Sequence, residues 1–303
     1  MIAATPVQAV QVSPTHELRT ASPVNEIAVD GGRAATLVGE PQQWEYLLVW
    51  SPKGIILRAT LNCDIQESNV VLAANRFAHL CYQGVNYVVT GTIRPLTGRV
   101  ALRATRTAVI SLAGQNTLVA GSVSTFRPRV RTIVWQFDGL AKRKLHTYAS
   151  RAVVLVVDRG RILVDHRHAL DVLSSKGVLV ATVRRPHDGG AVMRDGRVAT
   201  VNGRRLVVTG VDGKHPAVLT VAAGAHLDDL GGGYVVYSVE TRLHLLRLSD
   251  GKDVALRLRN QFGYVHARLW GGALFYSYNQ QGGPMPGHAG YVDPAGVRAL
   301  FKG

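Results

Sequence analysis

The chain reads as an all-β, seven-bladed β-propeller: a closed ring of four-stranded antiparallel blades around a central channel. Three observations predict it. A glycine-closed turn recurs seven times, as W-S-P-K-G ending at Gly54, I-R-P-L-T-G at Gly98, W-Q-F-D-G at Gly139, L-S-S-K-G at Gly177, G-V-D-G at Gly213, L-S-D-G at Gly251 and V-D-P-A-G at Gly296. The spacings are 44, 41, 38, 36, 38 and 45 residues, close to the roughly 40 residues that one blade of four short strands consumes. The segments between turns are short, rich in valine, isoleucine and leucine, and free of any useful run at helical period, as in V-V-L-V-V (Val153 to Val157) and R-L-V-V-T (Arg205 to Thr209).

Each blade divides into strands A (innermost) to D. Blade 1 runs from E-I-A-V-D at Glu26 through a D-G-G-R turn to Arg33–Gly39, Glu45–Trp50 and Ile55–Thr60. The A–B turn recurs at Asp158-Arg159-Gly160, Arg194-Asp195-Gly196, Gly231-Gly232-Gly233 and Gly271-Gly272. Glycine, aspartate and asparagine supply the positive φ a tight hairpin needs. The blades fall at about 24–62, 68–105, 107–147, 151–184, 187–222, 225–260 and 263–303, after an N-terminal leader or closing strand at 1–23. An open ring leaves strand edges exposed. V-Q-A-V-Q-V (Val7 to Val12) is therefore expected on the outside of blade 7, beside or in place of Val297–Phe301.

Although 303 residues would suggest two domains, a seven-bladed ring is one closed domain of this size. No stretch of about 18 apolar residues lacks charge, so no membrane-spanning helix is predicted. The six residues from Met1 to Pro6 are too short for a signal peptide but are compatible with the remnant of one. The expected location is secreted or cell-surface, with the cytoplasm as alternative, and the expected state is a monomer. Lys and Arg number 35 against 20 Asp and Glu, net +15. That attracts anions, although only Arg127-Arg129-Arg131, Lys142-Arg143-Lys144 and Arg184-Arg185 cluster, and solvated strand edges explain such runs equally well. Cys63 and Cys81 fall near one face and can form a disulfide; two unpaired buried thiols are the alternative.

This pattern resembles the β-propeller superfamily in the broad WD40-like and TolB-like sense, over about residues 24–303, and resembles secreted bacterial propellers of unknown function. The WD dipeptide is missing: Trp50 precedes Ser51 and Trp135 precedes Gln136. The resemblance implies binding on the face or at the mouth of the channel, with a minority of members being enzymes.

Candidate chemistry gathers where D-to-A connections and the starts of A strands should line that mouth. His187, His226 and His266 are spaced 39 and 40 residues apart, one per blade. Asp188, Asp228, Asp229, Tyr264 and Arg268 lie nearby, with Trp270 in the same strand as His266. Three imidazoles with a carboxylate suit a metal. A His/Tyr pair with Arg268 suits acid–base work on an anionic polysaccharide. Periodic histidines left by repeat ancestry are the plainer explanation. His166 and His168 form an i, i+2 pair, usually a solvated strand end. The long loop Asn279–Gly287, followed by His288, should also reach the mouth. Nucleophilic catalysis and phosphate cradling find no motif. The sequence therefore points to a non-enzymatic scaffold binding a protein or glycan at the mouth, needing no cofactor. A lyase or hydrolase on an anionic glycan, and a polyanion-binding module, are the alternatives.

Overall fold

Two-residue turns with both φ values positive set the architecture. Gly31-Gly32, Arg159-Gly160, Asp195-Gly196, Gly232-Gly233 and Gly271-Gly272 all join an A strand to its B strand this way, the geometry whose twist matches that of the flanking strands. The computed structural model describes residues 9–40, 43–60, 70–82, 86–93, 96–101, 107–126, 128–167, 169–184, 190–280 and 285–302. It is an all-β ring of seven blades around a common axis. Blade 4 is typical, with A at Ala152–Asp158, B at Arg161–His166, C at Ala169–Ser174 and D at Leu179–Arg184, paired in that order. Each A strand touches the next around the axis, and the ring closes where Gln261–Trp270 of blade 7 meets Val24–Asp30 of blade 1.

Apolar side chains fill the spaces between blades. Trp50 is wholly buried and packs on Phe275 across the closing interface, ring centroids 5.6 Å apart. The aromatic C-strand position is thus core. Polar groups stitch the A–B turns together. Asp30 Oδ2 accepts from Ala74 N (2.5 Å) in blade 2 and Asn116 N (2.8 Å) in blade 3. Gln115 holds Arg159 N and donates to Asp158, Asp158 holds Gly196 N, and Asp195 holds Gly232 N. All but the Gln115–Asp158 contact satisfy a backbone N–H that a tight turn would leave without a partner.

The closure differs from the expected one. Ala9–Gln11 adds in parallel to the outer edge of blade 6, pairing with Ala255, Leu256 and Arg257. The strand sealing blade 7 is His16–Thr20, antiparallel to Gly287–Val292. Val297–Phe301 is not a strand. Residues Pro294–Ala299 form a short helix, N-capped by Asp293, whose carboxylate accepts from Gly296 N at 2.6 Å. Its Val297, with Leu300 and Phe301 just beyond it, is buried in the core of blades 6 and 7. The V-D-P-A-G copy therefore caps a helix, whereas Gly139, Gly177, Gly213 and Gly251 close C–D turns at positive φ.

Candidate functional site

The A strands enclose a central cavity of about 740 Å³. Aliphatic side chains, Val70, Val71, Leu112, Leu155, Val156 and Val192 among them, form part of its wall. Polar side chains line it mainly on three consecutive blades, with Glu26 in blade 1, His226, Asp228 and Asp229 in blade 6, and His266 and Arg268 in blade 7; Asp165 of blade 4 and Arg194 of blade 5 add to them.

Local backbone irregularity aims these groups. Ladder register shifts between Asn25 and Ala28, and between Leu227 and Asp229. Such bulges redirect side chains beside sites. Glu26 takes φ +41, a left-handed conformation that is rare and costly for a non-glycine residue. Its strand is pinned there by Thr36, whose hydroxyl donates to Asn25 O (2.7 Å) and Glu26 O (2.6 Å), while Glu26 N donates to Asn25 Oδ1 (3.0 Å). His266 and Arg268, two apart on a strand, share one face. Arg268 Nη1 donates to Asp228 O (3.0 Å) and Ala267 O (2.8 Å), which spans blades 6 and 7.

Burial dominates the electrostatics. It pushes the Glu26 carboxyl up to about 7 against the opposing pull of Arg268 and an N–H from Val70. It pushes Asp228 up to about 7 as well, opposed by Arg268 and the Ser238 hydroxyl and reinforced by Asp229. Burial, with Arg268 and His226 nearby, pushes His266 down to about 4. At neutral pH two carboxyls are thus close to half protonated while the imidazole is neutral. Asp228 Oδ2 is buried without a hydrogen-bond partner among the described residues.

The other sequence candidates are placed elsewhere. Asp229 lines the cavity, but its carboxylate is consumed by a bidentate pair with Arg194 (3.2 and 3.1 Å) and by Leu230 N and Leu269 N, both at 2.9 Å. Trp270 lies beneath the Arg194 guanidinium. Tyr264 is 73% exposed and does not line the cavity. His288 is buried inside blade 7, stacked on Tyr278 with centroids 4.9 Å apart and 3.3 Å from Glu17 of the sealing strand. His166 is drawn to Asp171 (3.0 Å) and against Tyr148. His187, Asp188, His168, Cys63 and Gln281–Pro284 of the long loop lie outside the described residues; Cys81 is disulfide-bonded. Among the described residues no group of three or more His, Cys, Asp or Glu is arranged to hold a metal ion, and no helix is long and apolar enough to cross a membrane.

Glu26 was not among the sequence candidates. Its only signal is a charge within the innermost strand, N-E-I-A-V-D, where a four-stranded blade otherwise buries aliphatic residues. A recurring buried motif was missed too. Tyr237, His244 and Asp253 in blade 6 match Tyr278, His288 and Glu17 in blade 7, with tyrosine on B, histidine directly opposite on C and the acid on the outer strand. Two consecutive blades thus share one internal polar device, the second completed by an acid from the N-terminal strand.

No family model and no curated protein matches the chain. Among solved structures, the β-propeller domain of Cps50 (Swd1) from Myceliophteria thermophila superposes with a TM-score of 0.60 at 10% identity, covering 92% of this chain and 99% of that one. At that identity the likeness concerns the fold alone.

Proposed function

We propose that this β-propeller is a non-enzymatic binding scaffold whose channel mouth, between blades 6, 7 and 1, takes a cationic or N–H-rich group from a protein partner, such as a lysine side chain or a chain N-terminus. One observation carries the reading: the mouth is short of donors. Two desolvated carboxyls face the cavity; of the two guanidiniums lining it, Arg194 is engaged by Asp229 and Arg268 gives part of its donor capacity to backbone carbonyls. A buried acceptor without a partner is costly, so an incoming ammonium that meets Glu26 and Asp228 is favoured over bulk water there. The aliphatic wall beyond them suits a methylene stem.

A proton signature follows. Carboxyls near pKa 7 ionise on meeting a cation, so binding at pH 7 releases protons. Calorimetry of a lysine-bearing peptide, run in buffers of different ionisation enthalpy, measures that release. Binding should weaken in Glu26→Gln and Asp228→Asn and vanish when the lysine is acetylated. Equal binding of the acetylated peptide would end this reading.

A second reading rests on the inverted protonation itself, since protonated carboxyls beside a neutral His266 suit acid–base chemistry. Turnover of an anionic glycan that His266→Ala abolishes without unfolding the protein would favour it.

A further inference from the structure

The outer edges of the blades are treated unequally. Blade 6 is covered by Ala9–Gln11, and blade 7 ends on His16–Thr20, which carries Glu17 and Arg19. Blade 4 ends on Leu179–Arg184, to which no strand is added among the described residues. Its approach and first residues are apolar and open: Val178 is 63% exposed, Leu179 50% and Val180 44%. A continuous exposed apolar edge is what proteins normally blunt with charge or proline.

Beside it lies a row of cations. The outer strand of blade 3, Ala141–Tyr148, exposes Lys142, Arg143 and Lys144; Arg143 faces blade 4, while Lys142, stacked on Trp135, and Lys144 face the blade 2 side. It is tied to the C–D turn of blade 4 by Arg143 Nη2 to Ser175 O (3.1 Å) and by His146 Nδ1 against Gly177 O (3.1 Å). Residues 139–150 and 174–184 together hold Lys142, Arg143, Lys144, Lys176 and Arg184 and no aspartate or glutamate.

We infer that the outer edge of blade 4 is a strand-addition site for an extended segment, alternating apolar and acidic residues, of a partner protein. The chain itself displays the mode. Blade 6 accepts a fifth strand in parallel, with Ala9 opposite Ala255 and Val10 opposite Leu256, continued by Val12 N to Arg257 O at 3.0 Å. Main-chain hydrogen bonds supply the pairing, and side chains on one face supply selectivity. An apolar face of the incoming strand covers Leu179 and Val180, and its carboxylates meet Arg143, Lys176 and Arg184 on the blade 4 side. A second copy of this chain is the poorer occupant, because it would bring another net charge of +15 against the same basic row.

The test titrates a fluorescently labelled peptide alternating valine and glutamate into the full chain, with an all-glutamate peptide and heparin as charge-only probes. The alternating peptide should bind more tightly than either. Leu179→Ser combined with Val180→Ser should weaken it about tenfold, and Lys176→Ala with Arg184→Ala should weaken it and flatten its salt dependence. Ile55→Ser with Ile56→Ser, on the apolar outer strand of blade 1, and Glu26→Gln in the channel should leave it unchanged. All these edge side chains are exposed. If the serine pair nevertheless disturbs the fold, threonine at both positions keeps strand propensity and takes its place. The inference fails if the charge-only probes bind as tightly as the alternating peptide, if the apolar substitutions change nothing, or if sedimentation shows a dimer that the serine pair dissolves.

Discussion

Glu26 holds the costliest position in the channel wall, combining a positive φ with a buried carboxyl. Its folded pKa, near 7, lies above the unfolded value of 4.5. Between those limits the unfolded chain loses its proton first, so stability falls as pH rises through that window and stays reduced above it. Glu26→Gln should therefore raise the thermal midpoint at pH 8, by the equivalent of roughly 1–2 kcal/mol once solvent in the channel is allowed for, and leave it unchanged near pH 4. His266 runs the other way. With a folded pKa near 4 against 6.5 unfolded, its contribution is present above pH 6.5 and is lost as pH falls toward 4. His266→Gln should flatten the acid limb of a midpoint-against-pH curve. A Glu26→Gln variant less stable at pH 8 than wild type would show that the carboxylate is held by more attraction than burial opposes.

At the scale of elements, the turn glycines divide into two kinds. A Cβ on Gly232 would meet Gly272 Cα at 2.5 Å, backbone against backbone, whereas one on Gly233 meets nothing within 4 Å. Both have positive φ. Gly233→Ala should cost about 1 kcal/mol for φ alone, and Gly232→Ala clearly more, because the turns of blades 6 and 7 must separate. Urea unfolding of the two variants measures the difference. The sealing strand offers a second case. Glu17 is the acceptor for the Tyr278 hydroxyl and sits beside His288, so Glu17→Ala leaves buried polar groups unsatisfied, at about 1–3 kcal/mol. Arg19→Ala, on the same face but largely exposed and only 3.7 Å from Glu17, should cost little.

For the whole molecule, the N-terminal segment works twice, extending blade 6 and completing blade 7. Removing residues 9–20 uncovers the edge strands Asp253–Arg257 and Gly287–Val292 together and strips Val12 from the core of blades 6 and 7. The truncated chain should melt well below the full one and scatter light on heating, since open apolar edges pair with one another. A truncation that melts with the parent would mean that the packing of blade 7 on blade 1, through Trp50 and Phe275, closes the ring unaided.

The ring, its blade number and most of its hairpins were legible in the sequence because they rest on local rules. A glycine that must adopt positive φ is visible wherever it stands, and a repeat of about 40 residues counts the blades. The spacing of His226 and His266 by one blade was visible in the same repeat. What tertiary structure alone decided depends on contacts distant in sequence. V-D-P-A-G looks like the other turn copies, yet Asp293 caps a helix there because His16–Thr20, more than 270 residues away, already occupies the place of the fourth strand. Glu26 reads as an ordinary strand residue until a bulge and the Thr36 hydroxyl turn it into the cavity. Asp229 and His288 look as available as Asp228 until Arg194 and Glu17 engage them. Sequence exposes local backbone demands; which polar side chains remain for a ligand is settled by their partners on neighbouring blades.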